Sequence, residues 1–384
     1  MSVNRRQFIK AGSLALGSLA VHGLPLQARP AEDKATVYFT PEITTESLLR
    51  IYERVCAPLQ GRIAIKLHTG EPHGPNILPR DMVRALQARI PKSSIVECNV
   101  LYPSPRQTTE GHRETLRTNG WTFCPVDILD EEGTAMFPIR GGKWFDEMSV
   151  GGHLANYDSF LALTHFKGHE LTGFGGAIKN IGMGCGSRAG KMAMHSIGKP
   201  GIDAEKCRGC KTCTHYCAQS AISIGEDHKA RIDHDLCAGC GRCIGVCNFD
   251  AISNAFDAES TILNERMAEY TKAVIQNRPH FHVSIVNQVS PYCDCHAEND
   301  AAVVPDIGMF ASFDPVALDQ ACADACLAAQ PIPGSQLGDN LSKADWHCYH
   351  DNFKDSNPNI EWKATLEQAE KVGMGTRQYV LKKV

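Results

Sequence analysis

A chain of 384 residues is too long for one small module and has room for two or three units. With 43% hydrophobic and 21% charged residues it can bury a core, which excludes a wholly disordered chain. A formal net charge of -4 gives no basic footprint, so nucleic acid is not an expected partner.

The chain opens MSVNRRQFIKAGSLALGSLAVHGLPLQA. Asn4-Arg5-Arg6-Gln7-Phe8-Ile9-Lys10 matches the twin-arginine export signal, and the weakly apolar stretch Ala11 to Val21 is too short to span a bilayer. A leader over residues 1–28, cut after Ala28, is expected, although Leu26 is not the small residue such sites prefer. The chain is then exported, to the periplasm or beyond, with the twin-arginine machinery as a partner. No later stretch is apolar enough for a transmembrane segment.

Beyond a polar linker, strand-length apolar runs alternate with helical periods. Ala35 to Thr40 reads as a strand, Ser47 to Cys56 as a helix, Arg62 to His68 as a strand and Pro79 to Ile90 as a helix opened by proline. Ser94 to Val100 is a strand, Thr108 to Asn119 a helix ended by Gly120, and Tyr157 to Thr164 a buried strand. After residue 256 the alternation resumes: helix Ser260 to Asn277, strands His282 to Val289 and Ile307 to Phe313, helix Asp314 to Ala329 with Asp314 as its cap, helix Trp362 to Gly373 and strand Gln378 to Leu381. This order predicts an α/β domain with a mainly parallel sheet, in two parts at 35–199 and 257–384.

Between the parts lies CRGCKTCTHYC, a spacer of 19 residues, and CAGCGRCIGVC. Cys207, Cys210, Cys213 and Cys217 recur 30 positions later as Cys237, Cys240, Cys243 and Cys247, so the unit is duplicated. Each half reads C-x2-C-x2-C-x3-C. Zinc sites use pairs of C-x2-C, but two identical four-cysteine runs are not their pattern. The segment 200–256 resembles the bacterial ferredoxin module that binds two [4Fe-4S] clusters, a small α+β unit in which the fourth cysteine of each run ligates the other cluster. The resemblance implies one cluster on Cys207, Cys210, Cys213 and Cys247 and another on Cys237, Cys240, Cys243 and Cys217, placed for electron transfer. Where that family usually has proline after the fourth cysteine, this chain has Ala218 and Asn248.

Of 17 cysteines, those outside the duplicated runs are at 56, 98, 124, 185, 293, 295, 322, 326 and 348, without the spacing of a disulfide scaffold. Cys293-Asp294-Cys295-His296 is chelate-like; with Cys185 as a further ligand it can hold a third metal, or its thiols can form a redox pair. Cys322 and Cys326, four apart on a helix, are expected in the core. The most polar stretch, HFKGHELTGFGGAIKNIGMGCGSRAGK, brings His165, Lys167, His169, Lys179, Asn180 and Arg188 next to Gly173, Gly175 and Gly176. One reading is an anion site at the start of a helix near Ala177, with Lys66 and His68 facing the same cleft. The other is that the glycines serve tight packing. No G-x-G-x-x-G opens a helix after a strand, so a nicotinamide or flavin site is not expected.

IKLHTGEPHGPN from Ile65, RQTTEGHRETLRTNGW from Arg106, HFKGHELTGFGGAIKNIGMGC from His165 and YCDCHAENDAAVVPDIGMFASFDPVALDQAC from Tyr292 together resemble the family called domain of unknown function 362. That resemblance implies an α/β fold and iron-sulfur clusters and little chemistry. Two functions follow: an exported carrier that relays electrons to a redox partner protein, or an oxidoreductase that uses the clusters as an internal relay to a small anionic substrate. For the second, His165, Lys167, His169 and Lys179 are the candidate catalytic groups.

Overall fold

The computed structural model describes residues 34–55, 59–102, 104–195, 200–217, 219–237, 243, 247, 249, 251–254, 260–296 and 300–384. The expected leader lies outside these residues. In chain order the strands are β1 (Ala35–Thr40), β2 (Ile63–Lys66), β3 (Ser93–Glu97), β4 (Val126–Ile128), β5 (Thr134–Pro138), β6 (Glu147–Gly151), β7 (Ser159–His165) and β8 (Lys167–His169). They continue as β9 (Gly173–Gly175), β10 (Pro200–Ile202), β11 (Ile222–Ile224), β12 (Ala230–Ile232), β13 (Ile252–Asn254), β14 (His280–Val286), β15 (Gly308–Ser312) and β16 (Tyr379–Lys383).

Eight of them form one sheet in the order β16-β1-β15-β14-β7-β2-β3-β4. Neighbours are parallel except where β15 runs against β14 and β1. The central strands are apolar on both faces, as strands buried under helices on both sides must be. In β2 and β7, Ile63, Ile65, Leu161 and Leu163 turn one way and Ala64, Phe160 and Ala162 the other. The first face is covered by Leu48 and Ile51 of the Thr45–Val55 helix, Met82 and Leu86 of the Arg80–Ala88 helix and Leu116 of the Thr109–Thr118 helix. The second packs on Ile178 and Ile181 of the Ala177–Cys185 helix, Met267 and Tyr270 of the Ser260–Ile275 helix, and the Pro315–Ala328 helix. The result is a three-layer mixed α/β domain with a large, mainly parallel sheet.

Cys322 and Cys326 lie in this core, where burial pushes their thiols up. Asp314 caps its helix, its Oδ1 accepting from the N–H groups of Val316 (2.9 Å) and Ala317 (3.0 Å). The cysteine segment contributes two small antiparallel pairs, β10 with β13 and β11 with β12, and the short Thr212–Tyr216 helix. Among the described residues no helix is long and apolar enough to cross a membrane.

Candidate functional site

The duplication seen in the sequence is repeated in backbone geometry. Asp203 and Asp233 each accept an N–H at 2.9 Å from the residue two positions on, Glu205 and Asp235. Each also accepts at its carbonyl, at 3.0 Å, the N–H of the first cysteine of a run, Cys207 or Cys237. Gly209 has φ +63°, and a Cβ there would stand 2.1 Å from the His228 carbonyl, so the first cysteine loop needs glycine to pass against the turn between β11 and β12.

Cys207, Cys210, Cys213 and Cys247 line one hollow whose other walls include Ile224, Ala230, Phe249 and Ile252. Three cysteines of one run thus share a hollow with the last cysteine of the other. Backbone N–H groups point at sulfur, Ala230 N to Cys207 Sγ at 3.4 Å and Ala221 N to Cys217 Sγ at 3.2 Å. Cys243 is buried and packs in the same small core, and Cys237 is half-buried. Cys240 lies outside the described residues. An all-sulfur donor set with apolar walls can hold a soft metal or an iron-sulfur group and is unsuited to a hard cation.

A second site lies where β2, β3, β7 and β14 end. Charged residues collect there because loops beyond the C-terminal strand ends are free of sheet pairing. A cavity of about 500 Å³ is lined by Lys66, His68, Glu97, Arg106, Lys167, His169, Lys179, Lys191, Cys293 and Cys295, among others. Lys66, the last residue of β2, donates to Glu97 Oε1 (2.6 Å) at the end of β3 and to Asn180 Oδ1 (3.1 Å). Arg106 bonds the other Glu97 oxygen and Glu71 Oε1 (3.0 Å). Burial opposes the Glu97 charge, yet Lys66 and Arg106 hold its carboxyl far below the usual range. Burial and the neighbouring Arg106 guanidinium push His68 down to about 4.

His165 sits at the end of β7 with Nδ1 2.8 Å from Asp294 Oδ2 and Nε2 2.7 Å from the Asn287 carbonyl. Lys167 pairs with the same carboxylate oxygen at 3.0 Å. Against the cost of burial, these two hold Asp294 at about 2. His165 is therefore a support beneath the cavity, while Lys167 and His169, two apart on β8, line it.

Cys293, Cys295 and His169 form the thiol end. Their ligand atoms lie within 4.8 Å of one another. Lys179 Nζ stands 3.4 Å from Cys293 Sγ. A hydrogen bond from the Cys295 thiol, helped by Lys179 and His169 and opposed by burial, holds the Cys293 thiol well below its usual range. The same bond and burial push Cys295 up. The expected grouping with Cys185 and His296 is not what the fold assembles. Cys185 is buried on the Ala177–Cys185 helix, its carbonyl 3.4 Å from the Cys98 thiol, and it does not line the cavity. His296 turns toward Glu170, with Nε2 3.4 Å from Oε1. His169, the last residue of β8, takes the third place.

The expected anion site at Ala177 is already filled by the protein. Asp319 accepts the N–H groups of Ala177 (2.7 Å) and Ile178 (2.9 Å), so the helix start faces an internal carboxylate. A Cβ on Gly176 would stand 2.4 Å from Asp319 Oδ1, one on Gly173 would stand 2.5 Å from the Trp362 Cβ, and one on Gly175 would crowd Lys167. These glycines serve close packing. Arg188 opens the next helix and does not line the cavity. Sequence reasoning passed over Glu97, Arg106 and Lys191; the visible signal was a charged residue ending an apolar strand run, as Glu97 does.

With the fold and both sites in view, the class is that of a mixed α/β domain protein with clustered cysteines able to bind metal. The family model described as domain of unknown function (DUF362) matches residues 63–324, and the chain belongs to that family. No curated protein matches the chain. Among solved structures it is similar to a protein from Thermotoga maritima, at 10% identity and TM-score 0.38, over 75% of this chain and 59% of that one. It is also similar to a lactate racemase apoprotein from Thermoanaerobacterium thermosaccharolyticum, at 10% identity and TM-score 0.35, over 66% of this chain and 51% of that one. At these scores neither likeness assigns a fold or a chemistry to this chain.

Proposed function

We propose that this is an exported iron-sulfur protein that binds two [4Fe-4S] clusters and transfers electrons. Cys207, Cys210, Cys213 and Cys247 hold one cluster and Cys237, Cys240, Cys243 and Cys217 the other. The observation that carries the reading is the hollow shared by three cysteines of one run and the last cysteine of the other. Its sulfur donors and N–H bonds to sulfur suit a cubane, which when bound supplies one-electron transfer. The export route fits, since the twin-arginine pathway carries folded proteins with their cofactors in place.

A second reading, an oxidoreductase with the clusters as its internal relay, is favoured by the cavity at the strand ends. Its volume of about 500 Å³ suits a small molecule, and its buried lysines suit an anionic one. The test is iron, zinc and acid-labile sulfide on anaerobically prepared protein, with electron paramagnetic resonance after reduction. About eight irons and two interacting cubane signals per chain are expected; zinc in their place would refute the reading. Reoxidation of the reduced clusters by a small anionic compound, lost in Lys179→Ala or His169→Ala, would select the enzyme over the carrier.

A further inference from the structure

We propose that Cys293 and Cys295 are a dithiol for exchange with a small disulfide that carries carboxylate groups. This rests on reading the cavity as a substrate site and is independent of the clusters. The two sulfurs and a His169 nitrogen lie within 4.8 Å of one another at the cavity wall. The Lys179 ammonium, 3.4 Å from Cys293 Sγ, faces the sulfur that would carry negative charge.

The imidazole decides between a metal and a thiol pair. His169 Nδ1 accepts the N–H groups of Leu171 (3.0 Å) and Thr172 (3.2 Å), which leaves the ring proton on Nε2. A ring so held donates to sulfur, whereas a metal on Nε2 would require the ring proton on Nδ1, against the two N–H groups directed there. Because the Lys179 ammonium stands beside Cys293 Sγ, Cys293 is the attacking sulfur and Cys295 the resolving one.

The ligand class follows from Lys191. Its buried ammonium lines the same cavity, donates to the Gly186 carbonyl (2.6 Å) and, among the described residues, has no carboxylate at salt-bridge distance, Asp130 acting on it only from further off. A carboxylate on the ligand supplies one. In the exchange, Cys293 Sγ attacks one sulfur of R–S–S–R, the S–S bond breaks, and R–S⁻ leaves as a mixed disulfide forms. Cys295 then attacks Cys293 Sγ and expels the second R–S⁻. Two cysteines are oxidised to one disulfide, and one disulfide is reduced to two R–SH. Their protons come from Cys295 and from solvent.

The test mixes the full-length, anaerobically purified protein with glutathione disulfide and maps the peptides by mass. The Cys293 and Cys295 peptide is expected to become lighter by two hydrogens and to be restored by dithiothreitol. Cys295→Ser should retain one glutathione on Cys293. Lys179→Met should slow the reaction about tenfold or more near neutral pH. Lys191→Met should weaken use of glutathione disulfide more than use of uncharged hydroxyethyl disulfide, lowering the ratio of the two rates about tenfold. Reaction at Cys293 no faster than at half-buried Cys124 overturns the proposal, as does a zinc ion retained in the parent and lost in Cys293→Ser. Equal use of both disulfides, insensitive to Lys191, overturns the ligand class. Iron and sulfide counted on the same sample separate these failures from failure of the cluster reading.

Discussion

In the cysteine segment the sulfur groups come from short, repeated loops and the walls are apolar, among them Ile224, Phe249 and Ile252. At the strand ends, the cavity is assembled from β2, β3, β8, the Ala177–Cys185 helix and the loop after β14, and most of its charges are already paired. The first site is local in the chain and has little besides sulfur to hold it. The second is assembled from distant residues and stabilised by buried ion pairs. Removing a group should therefore empty the first and unfold the second.

The largest effect is expected in the cysteine segment. Cys213→Ser should lower iron from about eight to about four per chain, and Cys247→Ser should remove the same cluster as Cys207→Ser despite the distance in sequence. Loss of different resonance signals in those two variants would break the crossed assignment. In the α/β domain, Glu97→Gln leaves Lys66 and Arg106 facing each other without their shared carboxylate. A loss of about 3–5 kcal/mol in denaturant unfolding is expected, and a loss under about 1 kcal/mol would show that the network relaxes.

Asp319 sharpens the contrast through pH. Burial pushes its carboxyl up to about 7, against the two N–H bonds it accepts. The folded state then holds a proton that the unfolded chain has released, so stability falls as pH rises from about 4 to about 7. Asp319→Asn should flatten that slope, and urea titrations across the range that remain parallel to the parent would refute it. The smallest effect belongs to His296, whose side chain is 38% exposed. His296→Ala should change stability by no more than about 0.5 kcal/mol and leave bound metal unchanged; loss of an ion on metal analysis would return His296 to the ligand set.

The strands of the sheet other than the three-residue β4, and most of the covering helices, were legible because their apolar periods are strong. The strand Ser94 to Val100, for example, was found as Ser93–Glu97. The β5 and β6 hairpin was missed because its residues alternate weakly about a polar turn, and β15 gave no sign of its antiparallel direction. A strand's direction depends on the path of its connection, which periodicity does not encode. His165, Lys167, His169 and Lys179 were legible as chemistry-bearing residues, but not their separate places, His165 bound to Asp294 below and Lys179 beside Cys293 above.

What the sequence by itself determined was the α/β character and the eight-cysteine set, since both depend on spacings along the chain of a few residues. Only the tertiary structure decided that Asp319 fills the helix start at Ala177, that His169 joins Cys293 in place of Cys185 and His296, and that among the described residues no carboxylate reaches salt-bridge distance of Lys191. Those are contacts between residues more than a hundred positions apart, or the lack of one. Burial then decides their energetics, because an ionic group removed from water must be matched by whichever partner the fold brings within reach.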